Sequence, residues 1–416
     1  MLAAARGGRC VLSRLLKVSP GRKQAQASLL TFLCGKERRS TSLPLPSLDI
    51  PLPFLRRLNA LPHSTLGDDD AYQDKVDPVS LVAEELACLA SNLRMRVTAD
   101  ILNVPSLANA AEYFFKLGVE GKRFRPMVLM LMASSLNLLP SPTPDLKLGV
   151  DDRRIRQYRV AEITEMIHVA TLVHDDVVDQ SDSRRGISSL NHNIGNKLAV
   201  LAGDFLLAKA SIGLSTLRNG EVMALVSETL EHLATGEFMQ LAADTQQSCS
   251  MEYYLQKTYL KTASLMANSC KSIALLADQP REVAMLAFDY GRHLGLAYQL
   301  VDDALDFKGT SATLGKPALA DLREGITTAP ILFALQEEPF MQTLINRKFS
   351  EEGDSRMAVK LVKKTRGVAK TLELAAKHAQ QAESAIAQFP PCSDSRSQQC
   401  RQALADLTHS VVKRSM

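Results

Sequence analysis

The sequence predicts an all-α protein built as a single large bundle, and three observations carry that expectation. From Pro78 onward, apolar residues recur at helical steps in one segment after another, and no alternating strand pattern of useful length occurs. No repeat with a period of about 35 residues is present, which argues against a solenoid. Two Asp-Asp-x-x-Asp sets, Asp175–Asp179 and Asp302–Asp306, lie on separate apolar helices far apart in the chain, and one bundle has to bring them together.

The chain has 416 residues and is 46% apolar, enough for a sizeable core. Trp is absent and aromatics make up 5%, so aliphatic side chains and Met fill that core. The net charge of +4 is modest and does not argue for nucleic acid. From Met1 to Lys36 there is no acidic residue, and Arg and Lys are scattered among Ala, Leu and Ser. That is the composition of a transit peptide, with the mitochondrial matrix as destination and the plastid as the alternative. Residues 37–76 are rich in proline and read as a linker that cannot pack on its own. The remainder, 77–416, reads as the catalytic domain. No run of about 18 uninterrupted apolar residues occurs, so no transmembrane span is expected; peripheral association with the inner membrane is compatible with this. The seven cysteines show no metal-ligand spacing and suit a reduced compartment.

In order, helices are expected over Val82–Met95, over Leu107–Leu117 and from Pro126, where proline suits a first turn. The helix carrying Asp175 runs to about Ser181, followed by a loop through Arg184-Arg185-Gly186. Ala199–Leu217, Glu221–Leu241, Met251–Ala277 and Glu282–Asp306 read as helical. A long loop spans Gly309–Gly325. A helix starts at Pro330, and Arg356–Ala387 is helical again.

On the Asp175 helix, His168, Thr171, Asp175 and Asp179 fall on one face. Carboxylates one turn apart repel, so three aspartates inside an apolar helix call for a counter-charge. A divalent cation supplies it, and Mg²⁺ commonly joins carboxylates to substrate phosphates. In the second set, Asp302 and Asp306 share a face with Gln299 one turn earlier. The bland alternative is two acidic helix ends in solvent, which two such sets make hard to sustain. Lys122, Arg123 and Arg125 precede a helix start, and Arg184 and Arg185 follow the first aspartates, a placement suited to phosphate. Lys261-Thr262 and Gly315-Lys316-Pro317 are weaker singles.

These motifs resemble the trans-isoprenyl diphosphate synthases. The matching stretches are Gly121-Lys122-Arg123-Phe124-Arg125-Pro126, His174 to Gly186, Gly195-Asn196-Lys197, Ala202-Gly203-Asp204-Phe205, Gly236-Glu237-Phe238, Lys261-Thr262-Ala263, Gln299 to Phe307, Gly315-Lys316-Pro317 and Asp321 to Gly325. They cover about residues 80 to 416 in the family's order. Together with the basic N-terminus they resemble a mitochondrial long-chain polyprenyl diphosphate synthase of the solanesyl or decaprenyl type.

The resemblance implies a bundle of long antiparallel helices around a central cavity, usually dimeric, with a related subunit as the alternative partner. Asp175, Asp179 and Asp302 would ligate up to three Mg²⁺ ions, for which Mn²⁺ can substitute, supported by Asp176, Asp303 and Asp306. Arg184, Lys261, Thr262, Gln299 and Lys316 would contact the allylic diphosphate, and Lys122, Arg125, His168 and Arg185 isopentenyl diphosphate. One departure is Ile326, where members often carry lysine after the glycine.

Small residues at Ala170 and Thr171, about one turn before Asp175, would leave an apolar tunnel open and favour a long product. Three alternatives differ in the sequence features they need. A shorter-chain synthase of the geranylgeranyl type would close that tunnel. A terpene cyclase normally lacks the second aspartate set and the Lys122/Arg125/Arg185 group. A subunit inactive without its partner tends to lose aspartates, and this chain keeps all six.

Overall fold

A computed structural model describes residues 77–99, 113, 123–136, 152–184, 187–308 and 319–414. A 3-10 turn, Ser80–Val82, opens α1 (Ala83–Ala99). Next come α2 (Phe124–Leu136) and α3 (Asp152–Val178). After them follow α4 (Leu190–Ile194), α5 (Asn196–Thr216), α6 (Gly220–Ala242), α7 (Thr245–Ser248) and α8 (Met251–Thr258). A π-turn, Tyr259–Ala263, joins α8 to α9 (Ser264–Leu276), and α10 spans Arg281–Lys308. The chain continues through α11 (Ala320–Arg323), α12 (Ala329–Leu335), α13 (Met341–Asn346), α14 (Asp354–Lys364), α15 (Gly367–Ala387) and α16 (Ser395–Lys413).

The expected all-α class holds, with one small addition. Strands β1 (Ser183–Arg184) and β2 (Ile187–Ser188) pair antiparallel, Arg184 opposite Ile187. Side-chain caps explain several boundaries. Asn219 accepts from Val222 N at 3.0 Å to start α6, and Asp394 accepts from Ser397 N at 2.7 Å to start α16. Asp244 and Gln247 form a reciprocal capping box on α7.

Helix α9 is the centre of the packing. It touches α2, α3, α6 and α10, and nearly all its residues are buried, as a helix without a polar face requires. Its polar residues are satisfied locally or across helices. Asn268 donates to Thr229 Oγ1 of α6 at 2.9 Å, and Ser269 shares a 2.8 Å hydrogen bond with Thr164 of α3. Around it α3 lies along α5, α10 along α15, and α16 against α2. The α2 run from Met127 to Ala133 is almost wholly buried, each large side chain contributing ~1.5–3 kcal/mol. A smaller core built on Leu322, Ile331, Met341, Leu344 and Phe349 lies under α11–α14.

Several expected boundaries move. α3 stops at Val178, because Gln180 takes a left-handed conformation (φ 49°). The expected helix over Met251–Ala277 is interrupted by the π-turn. The expected helix over Arg356–Ala387 divides at Thr365, whose backbone is extended. Within the expected loop Gly309–Gly325, α11 forms. Among the described residues one helix, α5, is long and apolar enough by length and composition to cross a membrane, but it is no clear span. It packs on α3 through Ala199, Ala202, Gly203, Leu206 and Ala210, and carries Lys197, Asp204 and Lys209. The transit segment 1–36, the linker 37–76 and all of Leu107–Leu117 except Tyr113, which is helical, lie outside the described residues.

Candidate active site

The first aspartates end α3, held in place by buried Val160, Ile163, Ile167 and Val173. Their three side chains are not equivalent. Asp176 is turned inward, 2% exposed, and accepts from Arg184 Nε at 2.9 Å on both oxygens and from Nη2 at 2.7 Å. The short β1–β2 hairpin presents Arg184 for this bidentate pair. Arg184, expected to contact a diphosphate, is therefore anchored to the neighbouring aspartate. Asp175 and Asp179 stay on the open face. Burial raises both carboxyls, Asp175 to about 6, with Lys261 and Arg184 opposing it. Glu237 adds a further carboxylate beside them.

Lys261 reaches this group from the π-turn, and its Nζ lies 2.5 Å from Glu237 Oε2. The approach depends on Gly236, where a Cβ would fall 2.7 Å from Lys261 N. Glu237 Oε1 is buried with no hydrogen-bond partner among the described residues. His174, left as structural from the sequence, packs against α5. Its Nε2 is 3.1 Å from Val200 O, and its ring fills the space a side chain at Gly203 would need.

The second aspartates divide differently from the expectation that Asp302 and Asp306 form one face toward the site. Asp303 and Asp306 are both buried, and Asp303 the more deeply. Asp303 accepts from Tyr254 Oη at 2.6 Å and Gln299 Nε2 at 2.9 Å, and Gln299 Oε1 accepts from Thr262 Oγ1 at 3.3 Å. Burial, then the neighbouring Asp321, pushes Asp303 up to about 7. Asp306 accepts from Leu319 N at 2.9 Å, tying the chain after α10 to the helix. Asp302 is half-exposed and accepts from Arg414 Nη2 at 3.1 Å, while that guanidinium covers the Tyr298 ring at 4.0 Å. Lys257 feels the charges of Asp303 and Asp321 as well as those of Lys261 and Glu237.

Two more expected partners meet. Arg125 Nη1 lies 3.0 Å from His168 Nε2, which must accept, since guanidinium only donates. Arg123, by contrast, donates to Leu86 O and serves the fold. Phe124 and Tyr298 rings pack at 5.4 Å, linking the start of α2 to the Asp302 turn. Of the tunnel pair, Thr171 is half-buried on the Asp175 face, and Ala170, about 100° round the helix, is wholly buried in the core. Lys122, Arg185 and Lys316 lie outside the described residues.

The donor set fits a hard divalent cation: carboxylate oxygens only, with burial disfavouring their charge until a counter-ion is supplied. Among the described residues no three acidic, His or Cys side chains converge tightly enough to hold a metal alone. The sequence reading assigned no role to Glu237, Tyr254, Lys257, Asp321 or Arg414. Glu237 stood inside a quoted motif and Lys257 one turn before Lys261, but neither could be paired without the fold.

A family model described as polyprenyl synthetase matches residues 104–362. The chain is 52% identical over 346 residues to a mitochondrial solanesyl-diphosphate synthase 1 of Oryza sativa subsp. japonica, covering 82% of this chain and 80% of the relative. It is 50% identical over 349 residues to a chloroplastic/mitochondrial solanesyl diphosphate synthase 3 of Arabidopsis thaliana, covering 82% and 81%. Its fold is similar to a crystal structure of a Caulobacter crescentus polyprenyl synthase complexed with calcium and isoprenyl diphosphate. That match has a TM-score of 0.69 at 31% identity and covers 84% of this chain and all of the other.

Proposed function

The chain belongs to the polyprenyl synthetase family and is a prenyltransferase, and from that premise we propose the reaction it performs. It elongates an allylic diphosphate, farnesyl or geranylgeranyl, by successive trans condensation with isopentenyl diphosphate. The product is a long-chain all-trans polyprenyl diphosphate for the ubiquinone side chain. The observation that carries this reading is the placement of Asp175 and Asp179 on an open face beside Lys261, with Lys257 feeling both Lys261 and Asp303 of the second set.

Bound Mg²⁺, with Asp175, Asp179 and Asp302 as its proposed ligands, would stabilise pyrophosphate as it leaves. The protein's own groups do the rest. Lys261 balances the carboxylates and offers an ammonium to the allylic diphosphate. Arg125 and His168, joined by Lys122 and Arg185, bind isopentenyl diphosphate. Asp176 holds the Arg184 guanidinium in orientation. The double bond of isopentenyl diphosphate attacks the allylic cation and a proton is lost, so no side chain acts as nucleophile. Thr171 borders the route of the growing chain.

The acid-free stretch Met1 to Lys36 and the printed mitochondrial names of the relatives support import into mitochondria, with the plastid as the alternative. The enzyme acts as a homodimer or with a related subunit. The test is incubation of purified protein with Mg²⁺, an allylic diphosphate and labelled isopentenyl diphosphate, followed by sizing of the product. Asp175→Ala and Asp179→Ala should abolish turnover while leaving the circular dichroism spectrum unchanged. Near-normal turnover in either variant would reject Asp175 and Asp179 as metal ligands.

A further inference from the structure

Helix α14 (Asp354–Lys364) has two faces of different kinds. Ala358, Leu361 and Val362 are buried, and with partly buried Val359 they belong to the small core of Leu344, Ile345 and Phe349. The other face is in solvent. Arg356, Lys360, Lys363 and Lys364 are all exposed there, and their spacing gathers them into one stripe of a helix. Met357, 40% exposed, borders the stripe. Helix α13, which packs on α14, follows directly after Phe340, 50% exposed. Within α14 the single carboxylate is Asp354, which is buried and accepts from Arg347 Nη2 at 2.5 Å.

The carboxylates around the helix leave the stripe unbalanced. Glu351 pairs with Arg347 at 2.5 Å, Glu338 with Lys364 at 2.5 Å, and Glu337 with Lys370 at 2.9 Å. Among the described residues Arg356, Lys360 and Lys363 have no ion pair. Exposed Glu352, just before the helix, offsets one of these three charges at most. A single exposed ammonium is ordinary surface. A stripe of unpaired cations beside large apolar side chains is the make-up of a helix that rests on an anionic bilayer.

We propose that this face of α14 docks on an anionic phospholipid bilayer, with Arg356, Lys360 and Lys363 at the level of the headgroup phosphates and Met357 against the interface. The apolar face of α14 stays in the protein core, so the helix lies on the membrane and does not enter it. The choice of a bilayer as partner rests on the functional reading above. Its product is a diphosphate on a long hydrocarbon that water excludes, and a reaction that consumes it takes place where that hydrocarbon dissolves.

The test is flotation of the purified full chain with vesicles of phosphatidylcholine, alone or mixed in equal parts with phosphatidylglycerol. The wild type should float with the mixed vesicles and not with the neutral ones, and added salt should release it. Because Met1 to Lys36 is itself basic, the comparison is between full chains that differ only at α14. Arg356→Gln, Lys360→Gln and Lys363→Gln should each weaken partitioning about fivefold, the share of one basic residue near such a surface, and the triple variant about a hundredfold. Arg281→Gln, at the start of α10, removes the same charge elsewhere and should float like the wild type. The substituted side chains are exposed, so the circular dichroism spectrum and turnover on detergent-solubilised substrate should not change. A triple variant that binds as tightly as the wild type would overturn the inference, as would equal binding to the neutral vesicles. Elongation by a wild type that ignores both vesicles overturns this inference alone, and vesicle binding without elongation overturns the functional reading alone.

Discussion

Arg125 comes from the first turn of α2 and His168 from the middle of α3, yet their side chains meet at 3.0 Å. The proposed isopentenyl diphosphate site therefore has a core pair whose geometry can be tested. Arg125→Ala should raise KM for isopentenyl diphosphate by about ten- to a hundredfold, the consequence of losing a charge-assisted bond worth ~1.5–3 kcal/mol. KM for the allylic substrate should move far less, and equal effects on both would reject the division into two sites. Residue types and spacing were enough to single out the six aspartates and the basic group that includes Arg125, while the role of His168 came from the family resemblance. They could not rank the aspartates. Asp175 and Asp176 are neighbours in sequence, but the helix turns one toward Lys261 and the other into the Arg184 fork. Nor could they reveal Glu237, whose partner Lys261 reaches it only because Gly236 lets two backbones touch.

Helix α3 carries Ala170 and Thr171 about 100° apart, as helical periodicity requires. Ala170 is packed into the core, and Thr171 is on the Asp175 face with its hydroxyl given to His168 O at 2.8 Å. Thr171→Phe should stop elongation early and release products of about three or four isoprene units, with consumption of the starter continuing. Reversed-phase sizing decides it, and an unchanged long product at normal activity would place the tunnel elsewhere. Ala170→Phe should instead overpack the core and destabilise the fold by roughly 1–3 kcal/mol or more, read as a lower denaturation midpoint. A second element-level device joins α10 to α15. His293 Nδ1 and His378 Nδ1 lie 2.9 Å apart with stacked rings, which requires at least one neutral ring to accept. Burial lowers both to about 4, aided by Arg292 on each and by His293 and Lys377 on His378, while a hydrogen bond with Gln381 opposes the shift. Because the folded values lie below the ordinary 6.5, the pair's stabilisation is present above that pH and is lost as pH falls toward 4. His378→Phe should keep the packing and flatten the decline in Tm across that window. A wild-type Tm with no such decline would count against the pair as an acid-sensitive contact.

At the scale of the molecule, α5 and α6 leave large apolar side chains in solvent: Leu201 is 61% exposed, Ile212 52%, Phe238 73% and Leu241 56%. Large exposed apolar side chains are candidates for an association surface, and a second copy of the chain is the occupant that fits the proposed dimer. Phe238 follows Glu237 directly, and Leu241 lies one turn further along α6. Leu201→Asp with Phe238→Asp should shift the protein to monomer in sedimentation velocity, and an unchanged sedimentation coefficient would exclude this face. The sequence by itself determined the all-α class, the two aspartate-bearing helices, the basic groups and their order along the chain. Those follow from local rules, since helical periodicity and motif spacing are properties of neighbours in sequence. Only the tertiary structure decided which carboxylates are spoken for, that Arg414 at the far end of the chain covers Asp302, and that Lys257 and Lys348 share a cavity. Such facts depend on close approaches between distant segments, at Gly236, Gly325 and the π-turn, and no local pattern encodes which backbone will lie against them.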